Sequence, residues 1–284
     1  MKVKYYLLSI AVMGMLAACS GEKKESSSAT TAQKESVSDN QPTGDVFVYT
    51  SEHRANKTAP DKAKVQISKK LGSINTDEFG GNTAIEEVWI GEQVQHIAER
   101  AFLNCTNLKK VHFSGPLPVI NDAAFSGCSS LESLNVDVYT IGVDGFKDCT
   151  SLKSAKFGEH IYWIRVGAFE GCKNLKSLIS AITMSKLEDG AFVGCTSMEE
   201  FSIPNDFKNR MFAMFPNQEK FRKIYLLTTE FYPMPKSCQP NKQCTLYVPD
   251  VFLKQFQDDA QWSQFGKIEP LSKSKYYTAE GFLK

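Results

Sequence analysis

Apolar and polar residues alternate along this chain in a unit that returns at almost constant spacing. In one copy the apolar positions are Leu108, Val111, Phe113, Ile120 and Phe125. The alternation over 108–113 predicts a short strand, because successive side chains of a strand point to opposite sides. A single unit has no partner for its apolar side, so we expect it to stack on further copies of itself.

The most regular part of the unit is the phrase Ala-Phe-x-x-Cys-x-x-Leu. Its five clear copies follow one another in steps of 23, 21, 23 and 23 residues and begin at Ala101, Ala124, Gly145, Ala168 and Ala191. Weaker copies keep the register on both sides, so about eight strand positions fall between residues 62 and 226. Self-similarity at a fixed period of this length predicts a repeat solenoid.

The longer phrase Ile-x-x-x-Ala-Phe-x-x-Cys-x-x-Leu resembles the BspA-like leucine-rich repeats found on bacterial cell surfaces. The resemblance covers residues 62–226. It implies a right-handed leucine-rich-repeat coil with short parallel β-strands on its concave face. The return segments are short and rich in Gly, Asp and Ser, so we expect one helical or 3₁₀ turn around each Ala-Phe-x-x-Cys.

The two ends of the chain differ in composition from the repeats. Residues 1–19 have a basic start and an apolar stretch too short to span a bilayer, which predicts a signal peptide. Their last four residues, Leu16 to Cys19, resemble a lipoprotein lipobox, which implies lipid attachment at Cys19; an ordinary secretory signal is the alternative. Residues 20–44 are polar and predict a disordered tether. Together these features predict a lipid-anchored protein of the bacterial outer membrane or cell surface.

Both ends of the repeat array need a cap, since a terminal coil would otherwise expose its apolar interior. We assign residues 45–61 to the N-terminal cap and residues 227–284 to the C-terminal cap. In the latter, 245–249 have strand composition and 251–256 predict a helical segment.

Five of the eight cysteines share one position of the repeat. Equivalent positions point the same way, which is poor disulfide geometry and does not converge on a metal. We therefore expect a column of packed, buried thiols, formed by Cys105, Cys128, Cys149, Cys172 and Cys195. Cys238 and Cys244 flank a turn-like run, and a disulfide between them is left open.

The sequence contains no recognisable catalytic set. It has four histidines and none of the common hydrolase, phosphate-loop or metal motifs. We predict that the protein is not an enzyme and carries no cofactor or metal. With 33 basic and 32 acidic residues the net charge is +1, and no basic stripe argues for nucleic acid. Membrane contact is expected through the lipid anchor alone.

The outward strand positions of the concave face are the candidate binding residues. Aromatic and polar side chains come together in two rows that include Trp89, His112, Asn135, Lys156, Lys110 and Glu87. Exposed aromatic residues favour contact sites; the alternative for Trp89 is packing under the N-terminal cap.

These features favour a surface-anchored protein-binding or adhesion module whose partner is a host or bacterial surface protein. Two alternatives remain at this point. One is a lipoprotein that captures carbohydrate or nutrients, with Trp89, Trp163 or Trp262 as stacking platforms. The other is a structural partner in envelope assembly.

Overall fold

The computed structural model describes residues 44–115, 117–181, 183–204, 211–215 and 217–284. The predicted signal peptide, the lipid attachment at Cys19 and the tether up to residue 43 lie outside the described residues. In the described part of the chain, no helix combines the length and the apolar character needed to cross a membrane.

Eleven parallel strands follow one another along one side of the described solenoid. Four form a first sheet in the order β1 (Phe47–Tyr49), β2 (Lys64–Ile67), β4 (Glu87–Ile90) and β6 (Lys110–Phe113). Seven form a second sheet: β8 (Ser133–Val136), β10 (Ser154–Phe157), β12 (Ser177–Ile179), β14 (Glu200–Pro204), β15 (Lys223–Leu227), β16 (Thr245–Val248) and β17 (Lys267–Pro270). The predicted repeat solenoid is confirmed. We call the outward side of these two sheets the concave face.

The return segments contain a second parallel ladder that the sequence did not predict. Its six short strands are β3 (Ser73–Ile74), β5 (His96–Ile97), β7 (Leu117–Ile120), β9 (Val138–Ile141), β11 (Trp163–Ile164) and β13 (Lys186–Leu187). The isoleucine of the repeat phrase, or its equivalent Leu187, is the inward residue of these strands. The six coils that begin at β2, β4, β6, β8, β10 and β12 therefore contribute two strand segments each, rather than one strand and a helical turn.

The Ala-Phe-x-x-Cys segments are hydrogen-bonded turns, and the prediction of a helical or 3₁₀ turn is wrong there. Within a coil, the Cys105 amide donates to the Phe102 carbonyl at 3.1 Å. Between coils, the Phe102 amide donates to the Ala124 carbonyl at 2.7 Å, and the bond recurs along the stack. The backbone groups that a longer helix would use internally bind the neighbouring coil instead.

Helices are short and lie near the ends of the repeat array. They are α1 (Ser51–Ala55), α2 (Met211–Met214) and α3 (Leu253–Asp258), with 3₁₀ turns at Gln218–Lys220, Asp250–Phe252, Trp262–Gln264 and Leu271–Lys273. The 3₁₀ turn at 250–252 and α3 together occupy the stretch that the sequence predicted to be helical, residues 251–256.

Phenylalanine rings from equivalent positions stack into a spine through the core. Consecutive ring centroids lie 4.9 to 5.5 Å apart, in the order Phe79, Phe102, Phe125, Phe146, Phe169 and Phe192. All six side chains are buried. Burying one such ring stabilises the fold by roughly 1.5–3 kcal/mol, so the spine is a principal source of stability.

The five repeat cysteines lie in a row beside this spine. Each thiol is free and buried, and each Sγ donates to a backbone carbonyl of the preceding coil at 3.1 to 3.3 Å. Burial raises the pKa of the Cys105 and Cys195 thiols to about 12. Cys238 and Cys244 are also free and buried, so the structure has no disulfide between them.

One coil is shorter than the others, and its missing residues fall at one corner. A single residue, Asp137, separates β8 from β9. After β9 the backbone also approaches the preceding coil closely, which depends on glycine, because a Cβ on Gly142 would lie 2.6 Å from the backbone carbonyl carbon of Asn121. The break between the two concave sheets lies beside this coil, between β6 and β8.

The C-terminal region does more than close the end of the stack. β16 and β17 extend the concave ladder, and residues 271–284, which we call the tail, then turn back over the concave face. The Tyr277 hydroxyl donates to the Ser180 carbonyl at 2.9 Å across 97 residues of sequence. Tyr277 packs with Ile179, Tyr225 and Leu227 in a buried cluster separate from the main core.

Candidate binding site

The register of the concave strands brings the six predicted binding residues together in pairs. Glu87 lies beside Lys110, and Trp89 lies beside His112, on β4 and β6. Asn135 lies beside Lys156 on β8 and β10. Side chains two residues apart on a strand share one side of the sheet, so all six belong to the concave face.

Trp89 and His112 form a stacked pair rather than two free contact groups. Their ring centroids are 4.5 Å apart and the rings are nearly parallel, at 7°. Trp89 is only 7% exposed, which corrects the expectation of an exposed aromatic contact. Its indole stiffens the position of the His112 ring, and the imidazole is the member of the pair that reaches the surface.

Glu87 is shared between two basic side chains. Its carboxylate lies 3.4 Å from His112 Nε2 and 3.8 Å from Lys110 Nζ. Both contacts are long and the Lys110 side chain is 55% exposed, so each contributes little to stability in water. Lys110 is therefore free to exchange this carboxylate for one supplied by a ligand.

The break between the two concave sheets forms a small cavity at the surface. The described residues form no ladder between β6 and β8, although β4 to β6 and β8 to β10 are regularly paired. The resulting cavity has a volume of about 210 Å³ and is lined by Lys110, Val111, His112, Phe113, Ser133 and Asn135. Its rim is polar and basic, with apolar side chains below. Sequence reasoning did not identify Ser133 as part of this site.

Lys156 extends the basic character of the site to the next strand. It is half-buried on β10 and forms no ion pair with any described residue. On the same three strands the other outward side chains are neutral or basic, namely Lys110, His112, Ser133, Asn135 and Ser154. We call these outward residues of β6, β8 and β10 the open half of the concave face.

The tail covers a second part of the concave face, over β12, β14 and β15, which we call the covered half. There the Glu200 carboxylate accepts hydrogen bonds from Tyr225 at 2.6 Å and from Ser177 at 3.2 Å, and Tyr276 lies at 3.5 Å. Burial and the Glu200 carboxylate together raise the pKa of the Tyr225 hydroxyl. Nothing in the repeat pattern indicates this coverage, because it depends on tyrosines outside the repeats.

The rim of the concave face carries charges of alternating sign. Lys109 pairs with Glu86 at 2.7 Å and Lys176 pairs with Glu199 at 3.0 Å, in both cases between neighbouring coils. These pairs are exposed and act as a solvated charge ladder.

Two of the tryptophans suggested as stacking platforms for sugars, Trp163 and Trp262, are in contact with other residues of the chain. Trp262 is fully buried in the C-terminal cap and its indole N–H donates to the Tyr232 carbonyl at 2.9 Å. Trp163 donates to Glu188, and the side chains of Lys186 and Arg165 lie over its ring at 4.8 and 5.3 Å. Trp262 therefore offers no free ring face, and the ring of half-buried Trp163 already contacts two cationic side chains.

A second cavity lies in the N-terminal cap, away from the concave face. It has a volume of about 440 Å³ and is bordered by an internal ion pair in which Arg54 Nε lies 2.5 Å from Glu78. The Glu78 carboxylate also accepts from the Tyr49 hydroxyl, and burial, followed by this carboxylate, raises the pKa of Tyr49 to about 12. Since these groups satisfy one another, the arrangement holds the cap to the first coil.

The described residues offer little for catalysis. They contain no group of three or more His, Cys, Asp or Glu side chains that could hold a metal ion. The described thiols are poor nucleophiles, because burial raises their pKa values and keeps them protonated at neutral pH.

Comparison with known proteins gives a family and a set of solved structures. The family described as BspA type leucine rich repeat region matches in six copies, over residues 58–159 and 133–238. No curated protein matches the chain significantly.

Several solved leucine-rich repeat proteins are similar in structure. One from Bacteroides ovatus is 22% identical, with 73% of this chain and 48% of that chain covered and a TM-score of 0.43. One from Eubacterium ventriosum is 27% identical, with 54% and 43% covered and a TM-score of 0.48. A leucine rich cell surface protein from Faecalibacterium prausnitzii is 18% identical, with 75% and 65% covered and a TM-score of 0.32. The chain thus spans about half the length of the first of these proteins.

Proposed function

Since the chain belongs to the BspA-type leucine-rich repeat family, we propose that it is a protein-binding module of the bacterial cell surface, held there by a lipid at Cys19. Its binding surface is the open half of the concave face. The partner is a surface protein of a host cell or of another bacterium. The role is passive: a stiff ladder holds side chains at fixed positions, and a partner docks on them without any covalent step.

The observation that carries this proposal is the contrast between the two halves of one surface. The covered half already binds a polypeptide segment, the tail, through side-chain hydrogen bonds such as that from Tyr277 to Ser180. The open half continues the same stack of parallel strands, interrupted by the break between β6 and β8, and has no covering segment among the described residues. It also contains the cavity at the sheet break, where Ser133 and Asn135 are exposed.

A steric block on the open half tests the proposal. The Ser133→Trp variant places a large side chain beside the cavity without touching the core, because Ser133 points outward. The Ser185→Trp variant is the matched control, since Ser185 is also exposed but precedes β13 on the second ladder. Binding of the purified full-length chain to an array of host and bacterial surface proteins is measured by interferometry for all three proteins.

The expected result is at least one partner that binds the wild-type chain and the Ser185→Trp variant but loses affinity at least tenfold for the Ser133→Trp variant. If every partner bound the Ser133→Trp variant as well as the wild type, the open half would not be the binding surface. If all binding were lost only in the Ser185→Trp variant, the second ladder would be the surface instead.

A further inference from the structure

We propose that the open half recognises an extended protein segment carrying two carboxylate side chains, one for Lys110 and one for Lys156. This inference rests on the proposed function and specifies the chemistry of the partner at the same site. Two observations support it: the basic charge of the open half, and the way in which the covered half binds the tail.

The basic side chains of the open half have few acidic partners among the described residues of the protein. Lys156 forms no ion pair with any described residue. Lys110 has one long contact of 3.8 Å, to a carboxylate that His112 shares. No outward residue of β6, β8 or β10 is acidic. One unpaired cation, Lys156, and one weakly paired cation, Lys110, on a rigid surface favour an anionic partner, and like charge disfavours a basic one.

The covered half has the opposite arrangement and shows how this surface holds a peptide. Its central strand bears Glu200, and the tail that covers it is basic: Lys275 lies beside Tyr276, with its ammonium 4.5 Å from the ring centroid. The Glu200 charge also raises the pKa of Lys275, after the larger contribution from Tyr276. The Glu200 carboxylate, which also pairs with Lys223 of β15 at 3.5 Å, therefore lies under a basic segment. By analogy, the basic open half fits an acidic segment.

The spacing of the two lysines sets the spacing of the carboxylates. Lys110 and Lys156 lie two strands apart and two residues offset along the strand. In a regular ladder, with strands about 4.8 Å apart and a rise of about 3.3 Å per residue, the offset is about 12 Å, and the break between β6 and β8 makes it no shorter. An extended peptide spans that distance in about four residues, so acidic side chains at positions i and i+4 face the two ammonium groups. Ser133 and Asn135 lie between the lysines as neutral hydrogen-bonding partners for the intervening backbone.

The test uses a fluorescein-labelled twelve-residue peptide of Ser and Gly with Glu at positions 5 and 9, and a second peptide in which Gln replaces both Glu residues. A labelled uridine twelve-mer is the third probe, since RNA is also anionic. Binding to the full-length chain is followed by fluorescence anisotropy at 50 and 300 mM NaCl. The site variant is Lys110→Gln with Lys156→Gln. The charge-matched control is Lys242→Gln with Lys254→Gln, both exposed and outside the concave face.

We expect the Glu peptide to bind at least fivefold more tightly than the Gln peptide at 50 mM NaCl, with the advantage lost at 300 mM because salt screens exposed charges. The site variant should lose about fivefold in affinity for the Glu peptide, and the control less than twofold, since exposed ion pairs contribute modestly. Equal binding of the two peptides, an equal loss in both variants, or no binding of the Glu peptide at millimolar protein would overturn the inference. Tighter binding of the uridine probe would overturn it in favour of a nucleic acid.

The outcome separates this inference from the proposed function. If the Ser133→Trp variant loses its surface-protein partner while the lysine variant keeps it, the open half is a binding surface that does not select acidic segments. If the lysine variant loses the peptide but Ser133→Trp keeps every protein partner, the basic site exists and the proposed protein-binding role is wrong.

Discussion

The two halves of the concave face belong to the same stack of parallel strands, but only one of them is covered by another segment of the chain. In the covered half, tyrosines of the tail pack on Ile179 and Tyr225, and polar groups such as Ser180 and Ser202 are fully buried and hydrogen-bonded to one another at 3.0 Å. In the open half, Ser133 and Asn135 lie at the surface beside a break in the sheet. The comparison teaches that the repeat determines the scaffold, whereas non-repeating residues decide which part of its surface remains available.

The largest expected effect concerns the buried thiols of the core, which should respond to pH in the same way under both halves of the concave face. Buried thiols stay protonated in the folded chain, with Cys105 and Cys195 at a pKa of about 12 against an ordinary 9.0. Their contribution to stability is fully present below pH 9 and is lost as the pH rises from 9 towards 12, by about 1.4 kcal/mol per thiol and per pH unit. The raised pKa values of buried tyrosines act in the same direction.

We therefore expect the free energy of unfolding, measured with urea, to be level from pH 6 to 8 and to fall steeply above 9. Two variants should reduce the slope of the free energy of unfolding against pH above pH 9 by the same amount. They are Cys105→Ala, under the open half, and Cys195→Ala, near the covered half. A slope that changes in only one of the two variants would mean that the interiors of the halves differ.

Removal of a tail contact should destabilise the covered half strongly. Tyr277→Ala deletes a fully buried ring and its hydrogen bond to Ser180, and we expect a loss of about 3 kcal/mol in the free energy of unfolding. His112→Ala, on the open half, should cost less than about 1 kcal/mol, because the imidazole is partly exposed and its bond to Glu87 is long. The free energy of unfolding of both variants is measured by chemical denaturation. Similar losses in Tyr277→Ala and His112→Ala would mean that the tail contact is no more important for stability than the exposed pair.

The carboxylate of the covered half and the carboxylate of β4 beside the open half should also differ in their effect on stability. Glu200→Gln weakens hydrogen bonds from Tyr225 and Ser177 and should cost about 1–2 kcal/mol. Glu87→Gln should cost about 0–1 kcal/mol, because its ion pairs are long. Urea unfolding of both variants measures the difference, and a larger cost at Glu87 would contradict the account.

The smallest expected effect concerns the turns between coils. The residue before each Ala-Phe or Gly-Phe pair has a left-handed backbone. It is Arg100, Ala123 or Asp144 in the coils of the open half but Gly167 or Gly190 further on. Because Ala is strained at a φ of 53°, Ala123→Gly should raise the free energy of unfolding by about 0.5 kcal/mol. Ala124→Gly is the control, since this neighbour is buried and has no positive φ; it should destabilise. If Ala123→Gly and Ala124→Gly both raised the free energy of unfolding, backbone strain at Ala123 would not be the cause.

Much of the scaffold could be predicted from the sequence, because each coil repeats the same signals. The alternation around Val111 and Phe113 indicated a concave strand, and the structure has strands at all eight predicted positions between residues 62 and 226. The second ladder was missed because several of its strands are only two residues long, with a single apolar residue such as Ile97 or Ile164 as the signal.

The surface was harder to predict, since it depends on contacts that are not periodic. The register of Trp89 beside His112 followed from the repeat, but the low exposure of Trp89 did not. The contact of Tyr277 with Ser180 joins residues 97 apart and has no counterpart in other coils. The 21-residue step was visible in the sequence, whereas the break of the sheet beside it, and hence the cavity next to Ser133, required the structure.

The most direct test of the account is the accessibility of single new thiols on the two halves. Ser133→Cys lies on the open half, and Ser202→Cys lies beneath the tail, where the native serine is fully buried. Labelling with iodoacetamide is followed by mass spectrometry, with the wild-type chain as the baseline for the native thiols. The account predicts labelling at position 133 at the rate of a free thiol and labelling at position 202 at least 100-fold more slowly. Equal rates at the two positions would show that the tail does not cover the concave face and would contradict the account.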